Sequence, residues 1–267
     1  MAAQKGMVKN SPMAKSSARP KRTPPLGRFI LPALLVGVVL VSYWLKIRPT
    51  LGLGGAASPE STAGLLARGI QAQNAGSFDV AMDLYRQVIQ KEPGNHQAHY
   101  NIGQIYNARN QNTEARREYE AALKADPNFL NARLNLGVML YRERQFAAAA
   151  DAFREVLRAD PNHAQALVNL GISLLELGQI KESIRWLTEA LGQQPKQPST
   201  HYYLGVALHR AGESAKARAA LEQAVTLDPR FAPAYEELAK VHEGLGQRAL
   251  AQEALAKAAA LNSNRSE

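Results

Sequence analysis

The chain has 267 residues and no cysteine, which excludes disulfides, thiolate zinc sites, iron-sulfur clusters, a cysteine nucleophile and a lipid-modified cysteine anchor. Aromatic residues make up only 6%, and no long stretch alternates apolar with polar residues at a period of two, so the composition is that of an all-helical protein. The formal net charge of +9 is confined to residues 1–48, which carry nine Lys and Arg and no acid; residues 49–267 hold 23 cations against 23 acids, which excludes the basic face that a nucleic-acid partner requires.

Residues 1–28 are polar, basic and rich in Pro and Ser, a composition that does not fold on its own. The run "FILPALLVGVVLVSYWL" at 29–45 follows, seventeen residues without a charge between Arg28 and Lys46. With Ile47 it reaches the length of a membrane span. Eleven of its residues are Leu, Ile, Val or Phe, which favours insertion by about 3–7 kcal/mol before Pro32, Gly37 and Ser42 reduce it. Tyr43 and Trp44 stand where an interfacial aromatic belt would place them. The expectation is a transmembrane signal-anchor helix at 29–47. A cleaved signal peptide fits less well, because the small residues "GGAAS" come only after Lys46 and Arg48.

Seven cations precede the span and two follow it, so the positive-inside rule places the N-terminus in the cytoplasm and the rest of the chain outside it. In a Gram-negative bacterium that is the inner membrane, with the body in the periplasm. Residues 48–61 read as a flexible linker, and their "GLGG" lacks the strand before it and the Lys-Ser or Lys-Thr after it that a phosphate loop needs.

From residue 62 the chain repeats itself. "ADPNFLNARLNLG" at 125–137 returns 34 residues later as "ADPNHAQALVNLG" at 159–171. Six units fit that period without insertion: 62–95, 96–129, 130–163, 164–197, 198–231 and 232–265. The eighth position reads Gly69, Gly103, Gly137, Gly171, Gly205, Ala239, and the twentieth Ala81, Ala115, Ala149, Ser183, Ala217, Ala251. Small residues on two successive helices let their backbones approach closely.

Position seven (Ile102, Leu136, Leu170, Leu204, Leu238) and position twenty-four (Tyr85, Tyr119, Phe153, Leu187, Leu221, Leu255) supply the bulk that fills the space between units. Pro93, Pro127, Pro161, Pro195 and Pro229 end the second helix of each unit. Gly76, Gly178, Gly212 and Gly246 mark the turn between the two helices in four of the units. Each unit is a helical hairpin that buries its apolar face only by stacking.

These letters resemble tetratricopeptide repeats over 62–265, about three quarters of the chain. The resemblance implies an all-α fold, a right-handed superhelical solenoid of six hairpins, here preceded by the membrane helix. The departures fall in terminal units: Arg68 and His242 replace core residues, and Ser263 replaces the last proline.

The family also implies a concave groove lined by the first helices, which takes peptides or helices of partner proteins. Carried over by position, the groove holds Asn101, Asn135 and Asn169 at the sixth place. Tyr100, Leu134, Val168 and Tyr202 stand at the fifth, Val138 and Ile172 at the ninth, and Arg142 and Arg210 supply the cations. A ladder of carboxamides can pair with both N–H and C=O of an extended peptide. A hydrogen bond between adjacent units is the other role open to these asparagines. The cationic clamp with which some members hold acidic chaperone tails is missing, since Leu66, Ile70, Asn101, Asn131 and Asn135 occupy its places.

His96 and His99 lack a third ligand and no catalytic order of Ser, His and Asp is found, so no metal, cofactor or catalytic site is expected. The functional expectation is a non-enzymatic scaffold, anchored by 29–47, that binds protein partners to assist assembly of a membrane or secreted complex. An accessory subunit of a separate enzyme and a homo-oligomer built through the terminal units are the alternatives.

Overall fold

The computed structural model describes Ser58 and residues 60–263. The expected tail at 1–28, the membrane span at 29–47 and most of the linker at 48–61 lie outside the described residues. Within them there are twelve α-helices and no strand, and no helix is long and apolar enough to cross a membrane. The first helices of the units are α1 (Thr62–Asn74), α3 (His96–Ala108), α5 (Leu130–Arg142), α7 (Ala164–Glu176), α9 (Pro198–Arg210) and α11 (Ala232–Gly244). The second helices are α2 (Phe78–Lys91), α4 (Asn112–Ala125), α6 (Phe146–Ala159), α8 (Ile180–Gln193), α10 (Ser214–Leu227) and α12 (Arg248–Ser263).

The hairpins close on the small residues. A Cβ added at Gly137 would lie 2.6 Å from the Phe153 ring, and one at Gly171 2.7 Å from Leu187. Ala81, Ala115, Ala149 and Ala217 are fully buried on the opposite helix. Ser183, in the same column, is also buried and donates its hydroxyl to Gly171 O at 2.7 Å, so its polarity costs little.

The turn inside each hairpin needs a left-handed residue. Gly76, Gly178, Gly212 and Gly246 supply it with φ between 74° and 78°. The other two units, which carry no glycine there, use Asn110 (φ 57°) and Arg144 (φ 61°). Asparagine tolerates this region, whereas arginine is strained in it. Between units, the residue before each proline is extended; Asp160, for example, has φ −132° and ψ 90°, which stops α6. Where Ser263 stands in place of that proline, α12 runs for 16 residues against 14 in the other second helices.

Packing between units explains the terminal departures. Arg68 is exposed, and among the described residues no helix precedes α1 to cover it. Leu255, expected to fill the space between neighbours, is 46% exposed because none of the described residues packs beyond α12. His242 is buried in a position normally apolar, and its Nδ1 meets Gln247 Oε1 at 2.7 Å, which satisfies the ring.

Neighbouring first helices approach one another most closely in the pairs α1 and α3, α5 and α7, α7 and α9, and α9 and α11, and α3 and α5 are joined by hydrogen bonds, whereas second helices stand further apart. The first helices therefore lie on the inner, concave side of the array and the second helices outside.

Candidate functional site

The concave face is crossed by hydrogen bonds that link one unit to the next. Gln73 Nε2 donates to Gln104 Oε1 at 3.2 Å, and Gln104 Nε2 to Tyr100 Oη at 2.9 Å. Asn135 Nδ2 reaches the same Tyr100 Oη at 3.4 Å, a long bond across the next junction. Arg142 Nη1 donates to Asn107 Oδ1 at 2.8 Å, and Arg210 Nη1 to Leu175 O at 3.2 Å. Both expected groove cations are thus already bonded to the unit before them.

The three asparagines differ in environment. Asn101 is 4% exposed; its Oδ1 accepts from Gln97 Nε2 at 3.0 Å and its Nδ2 has no partner. It stands beside Tyr85, whose phenol burial pushes up to about 12, the amide offsetting part of that without completing a hydrogen bond of good geometry. Asn135 is placed in the same way beside Tyr119, a fully buried phenol that burial also pushes up and whose hydroxyl makes no hydrogen bond. Asn169 is half-buried, and only its backbone carbonyl is engaged, by Ser173 Oγ at 2.8 Å.

Among the apolar positions, Leu134 is 5% exposed and belongs to the core with Phe153 and Leu170; Val138 and Val168 are half-buried against it. Ile172 packs with Leu175, Val206 and the partly buried Tyr141, Tyr202 and Tyr203. Tyr100 stacks edge-on against Phe129 with ring centres 5.0 Å apart, and Tyr202 in the same way against Phe231 at 5.2 Å. The structure therefore gathers Tyr141, Val168, Ile172, Tyr202 and Tyr203 at the middle of the groove.

Tyr141, Tyr203, Gln73, Gln104 and Glu176 were missed in the column-by-column reading of the sequence. Burial raises the pKa of both Tyr141 and Tyr203, and the Glu176 carboxylate adds to it in each case. Gln104 could have been found as the one carboxamide in a ninth column that otherwise holds Ile70, Val138, Ile172, Val206 and Lys240.

At the C-terminal end, Glu237 is buried, which works against its charge. His209 Nδ1 at 2.7 Å and Lys240 Nζ at 2.9 Å outweigh that and hold its carboxyl below the usual range. Glu236 accepts from Asn262 Nδ2 at 3.1 Å. The run of acids is therefore partly spent within the protein.

The histidines that sequence brings together serve packing. His96 meets Phe129 edge-on at 4.9 Å, and His99 Nδ1 meets Glu118 Oε2 at 2.7 Å. Among the described residues no group of three His, Asp or Glu stands together to hold a metal. The Glu118 hydrogen bond raises the His99 pKa against the opposing effect of burial. A raised folded-state pKa means that the pair stabilises the array fully below the unfolded value, about 6.5, and loses that contribution as pH rises through the folded value. Urea denaturation of the wild type and Glu118→Gln at several pH values should therefore give curves that differ most in mildly acidic buffer and converge above neutrality. A difference independent of pH would assign Glu118 a role unrelated to the imidazolium.

Comparison with known proteins agrees with this architecture. A tetratricopeptide repeat profile matches residues 66–128, 107–164, 134–198 and 168–230, and a second tetratricopeptide repeat profile matches 232–265. Among solved structures, MamA is similar at 26% identity over 62% of this chain and 96% of that one, with a TM-score of 0.56. YrrB, described as a TPR protein with an unusual peptide-binding site, matches at 20% identity over 66% of this chain and 91% of its own, TM-score 0.60. The pilF protein of Pseudomonas aeruginosa matches at 18% over 72% and 88%, TM-score 0.62. No curated protein matches the chain in sequence. With the repeat profiles covering well over half of its length, the chain belongs to the tetratricopeptide repeat family.

Proposed function

We propose that the protein is a membrane-anchored docking scaffold whose concave groove holds an extended segment of a partner protein during assembly of a membrane or secreted complex. The observation that carries the groove reading is the cluster of Tyr141, Val168, Ile172, Tyr202 and Tyr203, half-buried or buried apolar surface on the inner side of three consecutive first helices. Such a surface is suited to the side chains of a bound peptide, and YrrB, which shares the fold, has a peptide-binding site.

Photo-crosslinking in native membranes from Tyr202, with exposed Arg158 on α6 as the outer-face control, tests this reading. A partner labelled from Tyr202 and not from Arg158 is the expected result; equal labelling from both would overturn the groove as the working surface.

The anchor rests on the uncharged run at 29–45 and on the seven cations before it against two behind it. Protease added outside sealed spheroplasts should digest the repeats while a cytoplasmic control survives. Protected repeats would reverse the orientation, and repeats recovered in the soluble fraction would remove the anchor.

A further inference from the structure

The last helix, α12, turns Ala251, Ala254 and Ala258 into its hairpin and leaves its outer edge uncovered. Leu250, Glu253, Lys257 and Ala260 stand on that edge at intervals of three, four and three residues, which sets them in one stripe along the helix. All four are exposed, Leu250 to 45%, and with Tyr235, Leu238 and His242 of α11 they line one depression. In each of the other five second helices at least one end of this stripe is polar or charged, as at Gln90, Glu114, Arg158, Glu182 and Lys216.

The two charges of the stripe are four residues apart, the spacing at which a helix closes its own ion pair. Arg116 with Glu120 on α4 and Arg218 with Glu222 on α10 do so. Glu253 and Lys257 do not, and neither makes an ion pair with any other described residue. Taken in chain order the stripe is apolar, acid, base, apolar, and in reverse it is apolar, base, acid, apolar. Its complement is therefore the same stripe running the other way. A second α12 laid antiparallel against it sets Leu250 of each copy on Ala260 of the other and Glu253 of each against Lys257 of the other, all in one register about a two-fold axis.

The other uncovered surface of the last unit, around Leu255, faces the place where a further unit would stack. Inside the array the seventh position of one unit packs with the twenty-fourth of the unit before, Ile102 with Tyr85, Leu170 with Phe153 and Leu238 with Leu221. A copy stacked head to tail would bring Arg68 over Leu255, where Gln252 and Ala258 offer it no acid. A buried arginine without a partner opposes that arrangement.

We propose that two copies of the protein pair about a two-fold axis through the outer edge of α12, with Glu253 of one copy bonded to Lys257 of the other on both sides of the axis. The pair is closed, because each edge is used up by the other. Its contact lies on a second helix, so it does not rest on the groove reading and leaves the concave face of both copies open.

The chain has no cysteine, so one introduced thiol can find only its own copy. In the full chain in detergent micelles, Ala256→Cys, beside the axis, should give a disulfide-linked dimer on mild oxidation, and Arg158→Cys on α6 should not. Sedimentation equilibrium should show monomer and dimer with a Kd of about 1–100 μM, as for a small interface. Glu253→Lys and Lys257→Glu should each weaken the dimer by about tenfold or more, because like charges then face each other. An equimolar mixture of these two variants should recover the affinity of the wild type or exceed it, and so should the chain that carries both substitutions. Circular dichroism checks that each variant is folded.

A monomer throughout that range, no more disulfide from Ala256→Cys than from Arg158→Cys, or a dimer indifferent to both charge reversals would overturn the inference. So would growth beyond the dimer that Leu255→Lys abolishes, which would show the array continuing head to tail.

Discussion

Phe153→Ala should destabilise the array by about 3–5 kcal/mol, the range for deleting a buried aromatic ring. Phe153 is 1% exposed, lies under Gly137 in its own hairpin, and shares a core with Leu134 of its own unit and Leu167, Leu170 and Leu174 of the next. Its loss opens a cavity at the junction of the third and fourth units, and helices held at close range on both faces have little freedom to collapse into it. In a repeat array each unit is stabilised by its neighbours alone, so damage at one junction weakens the coupling between the two halves. Urea denaturation followed by circular dichroism should show a lower midpoint and a broadened or split transition. A loss below about 1 kcal/mol would mean that the junction repacks around the missing ring.

Gly137→Ala should cost about 1–3 kcal/mol from overpacking, after an offset of up to about 1 kcal/mol because alanine is the better helix former. The new methyl would sit 2.6 Å from Phe153 Cε1, a distance that carbon atoms do not hold, so the ring or the helix must move. The two substitutions meet at one contact and should not add. Gly137→Ala with Phe153→Ala is expected to be more stable than the sum of the single losses predicts, by about 1 kcal/mol or more, because the methyl enters space that the ring has vacated. Strict additivity in the double-mutant cycle would show that the close approach of α5 and α6 is governed elsewhere.

These contacts were legible in the sequence because they recur. A glycine in the eighth column and a ring or leucine in the twenty-fourth repeat in unit after unit, and the helical hairpin with its proline stop follows from them. The turn was legible only where it is a glycine. Asn110 and Arg144 adopt the same left-handed backbone without announcing it, because the stacking of the units imposes the turn on whatever residue is there. Arg68 and His242 were recognisable as exceptions and Leu255 was not, and the surroundings of all three depend on which neighbours they have, for His242 on Gln247 five residues away.

The groove was less readable for a related reason. Each column taken alone names the residues facing inward, yet what a carboxamide meets is decided by residues in other columns. Asn101 accepts from Gln97 of its own helix and Asn135 reaches Tyr100 of the unit before, although both occupy the same place in the repeat. The Gln73 and Gln104 bridge likewise arises from a pair of units.

Each unit meets the next mainly through its second helix packed on the following first helix, so the array is built like a spiral stair in which every tread rests on the one before it. A packed helix seam of this kind admits small sliding and rotation. A small rotation repeated at every junction alters the curvature of the whole without breaking any one interface. The width of the concave face is the dimension in which such rotations add up from one end of the array to the other.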